Sequence, residues 1–292
     1  MNKELTLAMA RLESLMEEIV LQATNDHQLA ESMLYSLKAG GKRIRPRVFL
    51  TTLQAFGSSL DEEVLKVAAA IEMMHTYSLI HDDLPSVDND DLRRGKPTNH
   101  KVFGEAMAIF AGDALLTLCF EVLSQVDLPA PTVLQLIQQL SQAAGPAGIV
   151  AGQASDVQAE NQQVPLKQLM AIHERKTGAL LQYCFVAAGL VAQANSVQLA
   201  LLSDLGMKVG IAFQVRDDLL DILATTEELG KTAGRDLALE KSTYPALLGI
   251  QGAKEALADY LSQARKICQD LVNQGLAMDE LVKIIEKLEL RD

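Results

Sequence analysis

Two clusters of aspartates lie far apart in a sequence that is apolar around both of them. The first cluster comprises Asp82, Asp83 and Asp88, and the second comprises Asp217, Asp218 and Asp221. Carboxylate oxygens are the ligands that Mg²⁺ and other hard divalent cations take from proteins. A single acidic triplet is more often a solvated helix face or a helix cap. Two triplets, each within an apolar helix, instead predict divalent-metal sites.

The second cluster lies on a predicted helix that is apolar on nearly every side, as is typical of a helix buried in a larger domain. Its polar residues fall three or four positions apart on a single stripe, which comprises Gln214, Asp217, Asp218 and Asp221. Burying unpaired carboxylates in hydrocarbon is very costly. We therefore expect this stripe to face an internal cleft.

The first cluster follows a similarly apolar stretch, in which His75, Ser78 and Asp82 share one helical face. Pro85 removes a backbone donor and disfavours helix at the residue before it, so the helix is predicted to end or bulge there. The distortion matters because Asp82 and Asp88 are six residues apart and would not share a face of a straight helix. A distorted helix end can bring them together over one metal ion. The two polar stripes together predict one shared cavity.

The composition predicts an all-α fold. The chain has 292 residues, of which 49% are hydrophobic, and this is enough for a sizeable core. Aromatic residues are few, tryptophan is absent, helix-forming residues are abundant and alternating β-branched runs are lacking. Because no glycine-rich or serine-rich linker interrupts the chain, residues 1–292 are predicted to form a single domain. Apolar periodicity predicts helices at about 3–22, 27–39, 46–55, 61–82, 103–126, 131–144, 148–160, 166–193, 197–223, 243–250, 252–273 and 278–289.

The net charge of the chain limits the kinds of partner that it can bind. A net charge of −12 argues against nucleic acid and anionic membrane surfaces, because both attract basic patches. Residues 177–203 carry no charged side chain, but polar residues interrupt the stretch and the pair Asn195 and Ser196 predicts a turn. A buried helix is therefore expected there, not a membrane span.

The cysteines and the N-terminus bear on location. Cys119, Cys184 and Cys268 are far apart and lack the paired spacing of a zinc site, so all three are expected to be reduced thiols in the core. The first residues show no apolar core of a signal peptide. Both features predict a cytoplasmic protein.

Cations are concentrated in two places in this acidic chain. The segment Gly40–Pro46 reads Gly-Gly-Lys-Arg-Ile-Arg-Pro and places three cations beside two glycines at a predicted helix start. Glycines permit close backbone approach and such a helix start suits a diphosphate, although an ordinary charged loop is the alternative. Arg93 and Arg94 follow the first aspartate cluster directly, and for them intramolecular ion pairs are the alternative. Together, the two aspartate clusters, the cations and the apolar surroundings predict a site that binds a diphosphate through magnesium and encloses a hydrocarbon tail.

Ordered motifs carry a family resemblance across about residues 36–249. After the segment Gly40–Pro46 come His75–Asp83, Asp90–Gly95, Gly152 and Gln153, Lys176–Gly178, Phe213–Asp221, Gly230 and Lys231, and Lys241–Pro245. The chain resembles the trans-isoprenyl diphosphate synthase family and, within it, most closely the bacterial farnesyl diphosphate synthases. The resemblance implies a helical bundle around a deep central cavity, a homodimer and Mg²⁺ as the cofactor.

The resemblance also implies the reaction. Dimethylallyl or geranyl diphosphate ionises to a carbocation, and the double bond of isopentenyl diphosphate attacks that cation. Loss of a proton to the departing diphosphate then gives a chain longer by one isoprene unit. One addition to dimethylallyl diphosphate gives geranyl diphosphate, and a second addition gives (2E,6E)-farnesyl diphosphate. A nucleotide is not expected, because the glycine-rich phosphate loops of nucleotide-binding proteins are absent from the sequence.

Motif positions assign implied roles to individual residues. The principal magnesium ligands would be Asp82, Asp88 and Asp217, with Asp83, Asp218 and Asp221 in support. The allylic diphosphate would be held by Arg93, Lys176, Lys231 and Lys241. Isopentenyl diphosphate would be held by Lys42, Arg45, His75 and Arg94, with Gly41 allowing close backbone approach. Oxygens that stabilise the developing cation would come from Thr177 and Gln214, and the catalytic set is Asp82, Asp83, Asp88, Lys176, Thr177, Gln214 and Asp217.

The resemblance also implies that residues upstream of Asp82 line the pocket for the hydrocarbon tail and set the product length. A helix rises about 1.5 Å per residue, so Tyr77 lies roughly 7 Å deeper than Asp82, and its ring is expected to stop the growing chain at the farnesyl length. Ser78 is small, which leaves a longer geranylgeranyl product as an alternative. A non-catalytic regulatory subunit of a prenyl synthase is a further alternative, which loss of the second aspartate cluster would have supported. A terpene cyclase would need an aromatic-lined cavity that this aromatic-poor chain hardly supplies.

Overall fold

The computed structural model describes residues 3–160, 162–224 and 242–290. Residue contacts divide the chain into two compact units, which are Met1–Leu50 with Ser59–Ile137 and Thr51–Ser58 with Gln138–Asp292. Within the described residues the only strands are two of two residues each, so the prediction of an all-α fold is confirmed. The single domain and the shared cavity stay predictions.

The first unit is built around one helix, α4. Its elements, in chain order, are α1 (Lys3–Ala23), α2 (His27–Leu37), the start of α3 (Ile44–Ala55), α4 (Glu62–Asp82), β1 (Leu92–Arg93), β2 (Lys96–Pro97), α5 (Asn99–Phe103), α6 (Glu105–Ser124) and the start of α7 (Ala130–Ala144). Helix α4 packs against α1, α2 and α6 and is buried over most of its circumference. Its start is capped by Asp61, whose carboxylate accepts the Val64 N–H at 3.1 Å.

The second unit is built around α11. Its further elements are α8 (Ile149–Gln158), α9 (Leu166–His173), a π-helical turn (Glu174–Gly178), α10 (Ala179–Val191), α11 (Ser196–Leu223), α12 (Tyr244–Asn273) and α13 (Asp279–Glu286). Helix α11 packs against α10 and α12. Asn195 and Gln198 form a reciprocal capping box at its start, which confirms the turn predicted at this point.

Three details differ from the predicted helices. The predicted helix over 166–193 is interrupted by the π-helical turn, where α8 approaches so closely that a Cβ on Gly152 would lie 2.3 Å from the Lys176 nitrogen. The helix predicted from residue 103 is preceded by the short α5, with Gly104 at a φ of 85° between them. The predicted break near residue 251 lies at Gly249, where φ is 71°. Apolar periodicity could not show the π-helical turn, because the α10 helix that follows it is apolar on nearly every side and a change of helical phase leaves no trace in its polarity pattern.

Two of the described helices, α6 and α11, are long and apolar enough to cross a membrane by length and composition alone. The core helix of a globular protein often has the same length and composition, and both helices pack against neighbouring helices of their own unit. Cys119, Cys184 and Cys268 are buried free thiols, as predicted.

Candidate active site

The first aspartate motif lies where α4 ends. The helix stops at Asp82, three residues before Pro85, and the chain turns back on itself. The Asp88 N–H donates to the Asp82 carbonyl at 2.9 Å, and the Asn89 N–H donates to the Leu84 carbonyl at 3.0 Å. The predicted helix end is confirmed, and the turn brings the backbones of Asp82 and Asp88 together although they are six residues apart.

Asp83 has a different environment from its neighbour Asp82. Asp82 is partly exposed, whereas Asp83 is only 3% exposed. The Asp83 carboxylate accepts the Arg93 Nε–H at 2.9 Å and a second, shorter bond from Nη2 of the same guanidinium. Arg93 also donates to Asp90 at 3.2 Å. In this structure Arg93 is therefore held by intramolecular ion pairs, the alternative that the sequence left open.

A tight hairpin directs the neighbouring residues Arg93 and Arg94 to different parts of the first unit. Leu92 pairs with Pro97 and Arg93 with Lys96, so Arg94 and Gly95 form the two-residue turn. Both turn residues have positive φ, 55° and 74°, as a two-residue hairpin of this type requires. The hairpin lets Arg93 reach Asp83 while Arg94 points to another segment.

Arg94 reaches the glycine-rich segment Gly40–Pro46. Its Nη1 donates to the Gly40 carbonyl. A Cβ on Gly41 would lie 2.6 Å from the Arg94 Cζ, and Gly41 has a φ of 117°. The backbone conformation at position 41 therefore favours glycine, and a Cβ there would displace the Arg94 guanidinium from its observed place.

The predicted ligands of isopentenyl diphosphate form one basic cluster, which we define as Arg45, His75 and Arg94. Arg45 Nη1 lies 3.0 Å from His75 Nε2. The pKa of His75 lies well below its usual value, and the main cause is burial of the imidazole. The positive charges of Arg45 and Arg94 lower it further. His75 is therefore neutral near pH 7 and accepts the Arg45 hydrogen bond. Lys42 is exposed beside the cluster.

The second aspartate motif organises a chain of hydrogen bonds on α11. Asp218, 3% exposed, accepts the Tyr244 backbone N–H at 3.1 Å and the Gln214 side-chain amide at 3.1 Å. Because the Gln214 nitrogen faces Asp218, its oxygen accepts the Thr177 hydroxyl at 2.9 Å. The structure thus brings the predicted pair Thr177 and Gln214 together. Asp217 is partly exposed on the same helix, and Asp221 is buried.

Lys176 and His173 flank this chain. Lys176, in the π-helical turn, donates to Asp156 of α8 at 2.6 Å. His173 stacks on the Tyr244 ring with 5.7 Å between centroids, and its Nε2 lies 4.0 Å from Asp218. Burial lowers the pKa of His173 to about 4. Sequence reasoning did not select His173, because a lone histidine on an apolar helix carries no motif signal.

The remaining predicted residues are placed as follows. Tyr77 is 5% exposed and packs edge-on against His81, with 5.5 Å between ring centroids. The Ser78 hydroxyl donates to the His75 carbonyl at 2.9 Å. Lys231 and Lys241 lie outside the described residues.

The aspartates suit magnesium by their chemistry. Mg²⁺ takes one or two protein carboxylates and keeps water and substrate phosphates as its other ligands. Asp82 and Asp88 in the first unit, and Asp217 in the second, are partly exposed carboxylates, so each motif by itself offers oxygen ligands of this kind. Among the described residues, no three acidic, histidine or cysteine side chains converge into a complete cation cage. This donor set fits an ion that depends on substrate to complete its coordination.

A family model described as "Polyprenyl synthetase" matches residues 26–278. The chain belongs to this family. The farnesyl diphosphate synthase of Geobacillus stearothermophilus is 50% identical over 262 residues, which cover 88% of each chain. The chloroplastic geranylgeranyl pyrophosphate synthase of Capsicum annuum is 42% identical over 91% of this chain and 72% of its own. A Helicobacter pylori geranyltransferase, solved in complex with magnesium and isoprenyl diphosphate, has a TM-score of 0.82 and 33% identity, with 93% of this chain and 92% of that chain covered. The resemblance inferred from the motifs is confirmed.

Proposed function

We propose that this polyprenyl synthetase family member is a trans-prenyltransferase of the farnesyl diphosphate synthase type. It joins isopentenyl diphosphate to dimethylallyl diphosphate and then to geranyl diphosphate, and releases (2E,6E)-farnesyl diphosphate. The observation that carries the proposal is the 50% identity to a bacterial farnesyl diphosphate synthase over nearly the whole chain, against 42% for the plant geranylgeranyl enzyme. The complete pair of aspartate motifs argues against a non-catalytic subunit.

The chemistry begins at the allylic substrate. The bond between its first carbon and the diphosphate oxygen breaks, and the diphosphate leaves with the electron pair. Mg²⁺ held by Asp82, Asp88 and Asp217 would neutralise charge on that leaving group. Thr177 and Gln214 offer oxygen atoms to the cation, and Asp218 holds the Gln214 amide in the required orientation.

The second substrate supplies the new bond. Arg45, His75 and Arg94 would hold the diphosphate of isopentenyl diphosphate, with Lys42 beside them. The double bond of this substrate forms the carbon–carbon bond, and the departing diphosphate accepts the proton that is then lost. Because the diphosphate is the base, no protein side chain needs to change its protonation state.

One assay tests the activity. The purified protein is incubated with Mg²⁺, isopentenyl diphosphate and either dimethylallyl or geranyl diphosphate, and the products are separated by chain length. We expect farnesyl diphosphate as the end product from both allylic substrates. Geranylgeranyl diphosphate as the end product would favour the longer-chain alternative, and absence of any condensation product would refute the proposal.

Tyr77 tests the basis of product length. Its ring is buried on α4, so Tyr77→Ala is expected to open the tail pocket and shift the main product from farnesyl to geranylgeranyl diphosphate. Tyr77→Phe is the matched control, because it keeps the ring and should keep the farnesyl product. Unchanged products from Tyr77→Ala would show that another residue forms the pocket floor.

We also propose that the protein is a cytoplasmic homodimer. Helix α6 exposes Ile109 and Phe110, which are 41% and 58% exposed, and a second copy would cover this apolar face. Light scattering is expected to give twice the chain mass for the wild type and the chain mass for Phe110→Glu. A wild type that is monomeric at micromolar concentration would contradict the dimer.

A further inference from the structure

Arg43 is the one cation of the segment Gly40–Pro46 for which neither the motifs nor the proposed function provides a role. Lys42, on one side, is exposed, and Arg45, on the other, contacts His75. The Arg43 side chain points inward instead and is 7% exposed. A buried arginine between two predicted ligands of a diphosphate requires its own explanation.

The Arg43 guanidinium is bound from three helices. Glu13 of α1 accepts from Nε at 2.6 Å and from Nη2 at 2.9 Å, which makes a two-point contact. Glu72 of α4, itself 1% exposed, accepts from Nη1 at 2.7 Å. The carbonyl of Leu37, the last residue of α2, accepts a further bond from Nη2. Arginine is the one side chain whose rigid fork can serve three acceptors in this way.

These contacts exclude Arg43 itself as a diphosphate ligand. Four of the five N–H groups of its side chain are already committed to the two glutamates and the carbonyl. Two carboxylates against one guanidinium also leave a local charge of about −1, which would repel an anion. The residue must act through its neighbours if it acts at all.

The backbone of Arg43 shows how it would do so. Its φ is +47°, in the left-handed region that residues with a side chain rarely occupy. Such a conformation persists only where the surrounding structure holds it in place, and such positions cluster at functional sites. Here the bound guanidinium holds it, and the backbone turns at Arg43 from the glycines into the start of α3.

We propose that Arg43 is a positioning residue for the isopentenyl diphosphate pocket of the proposed prenyltransferase. Its anchored side chain fixes the backbone that presents Lys42 and Arg45 and that contacts Arg94 at Gly40 and Gly41. Glu72 ties the same anchor to α4, the helix that carries His75 three residues later. The assignment rests on the proposed function, since it presupposes that this basic cluster binds the second substrate.

The test compares substitutions at Arg43 with a matched control. Arg43→Lys keeps the charge but loses the fork, and Glu13→Gln weakens the same anchor from a glutamate whose side chain is 43% exposed. Arg11→Lys is the control, because Arg11 also binds two glutamates, Glu18 and Glu62, but lies outside the pocket with 34% of its side chain exposed. For each protein one measures kcat, the KM of isopentenyl diphosphate, the KM of geranyl diphosphate and the melting temperature.

We expect Arg43→Lys to raise the KM of isopentenyl diphosphate roughly tenfold, because the cations that bind it are misplaced. The KM of geranyl diphosphate and kcat should stay within about twofold of the wild type, and Glu13→Gln should show a smaller effect of the same kind. Arg11→Lys should change none of these constants.

Two results would overturn the assignment. One is an unchanged KM of isopentenyl diphosphate, and the other is an equal rise in both KM values with a fall in kcat, which would indicate a merely structural residue. If Arg43→Lys does not fold, Glu13→Gln decides by the same criteria. A wild type that neither binds isopentenyl diphosphate in calorimetry nor forms product would instead refute the proposed function.

Discussion

The two aspartate motifs are alike in the exposure of their first two residues but differ in what the buried second residue binds. In each motif the first aspartate, Asp82 or Asp217, is partly exposed, and the second, Asp83 or Asp218, is 3% exposed. Asp83 binds a cation, whereas Asp218 binds two neutral donors, a backbone N–H and a side-chain amide. The comparison indicates that the second aspartate of each pair positions protein groups.

The motifs also differ in the backbone that supports them. The first lies at the end of α4, where the turn after Asp82 and its backbone hydrogen bonds bring Asp88 back to the helix end. The second lies within the continuous helix α11, where residues four apart share a face without any distortion. The first motif therefore depends on the turn around Pro85, and the second depends only on the helix period.

The largest expected effect tests the division within each pair. Asp82→Ala and Asp217→Ala should each lower kcat by roughly 10³-fold, because each removes charge that would hold magnesium and the leaving group. Asp83→Ala and Asp218→Ala should lose clearly less, since these residues act through Arg93 and Gln214. Steady-state assays at saturating Mg²⁺ measure the difference, and Asp204→Ala, at an exposed position of α11, is the control. Equal losses at both positions of a pair would contradict the division.

The next effect separates the two buried aspartates by stability. Asp83→Asn should lower the free energy of unfolding by about 3 kcal/mol, because it removes the charge of the buried carboxylate that pairs with Arg93. The ion pair between Arg93 and Asp90 would remain. Asp218→Asn should cost about 1 kcal/mol, because an amide oxygen can still accept the Tyr244 N–H. Urea unfolding of both variants measures the two values. A larger loss for Asp218→Asn would reverse the comparison.

The smallest effect concerns pH and the surroundings of the second motif. Burial lowers the pKa of His173 from 6.5 to about 4, so between these values the unfolded chain binds a proton that the folded chain does not. Stability should therefore rise with pH across this window and be lost as pH falls through it, by about 2 kcal/mol between pH 7 and pH 5. His173→Gln should remove that part of the pH dependence. Unfolding free energies at the two pH values, compared between the two proteins, provide the check, and identical slopes would exclude His173 as the source.

Much of this arrangement could be predicted from the sequence, because it is local. The ends of most helices, the helix end near Pro85, the polar stripe of α11 and the family membership all follow from periodicity, proline chemistry and short motifs. The π-helical turn at Glu174–Gly178 could not be predicted, because the α10 helix that follows it is apolar on nearly every side and carries no polarity pattern in which a change of phase would show.

By itself the sequence determined that this protein is all-α, that it carries two acidic motifs and a basic segment suited to a diphosphate, and that it belongs to the prenyl synthases. Only the tertiary structure decided that Asp83 and Asp218 are occupied by protein partners, that Arg94 reaches Gly40 while Arg43 is buried between Glu13 and Glu72, and that His173 stacks on Tyr244. The physical reason is that each of these contacts joins residues at least ten positions apart. Such pairings depend on how packed helices bring side chains together, and no local pattern of residue types specifies them.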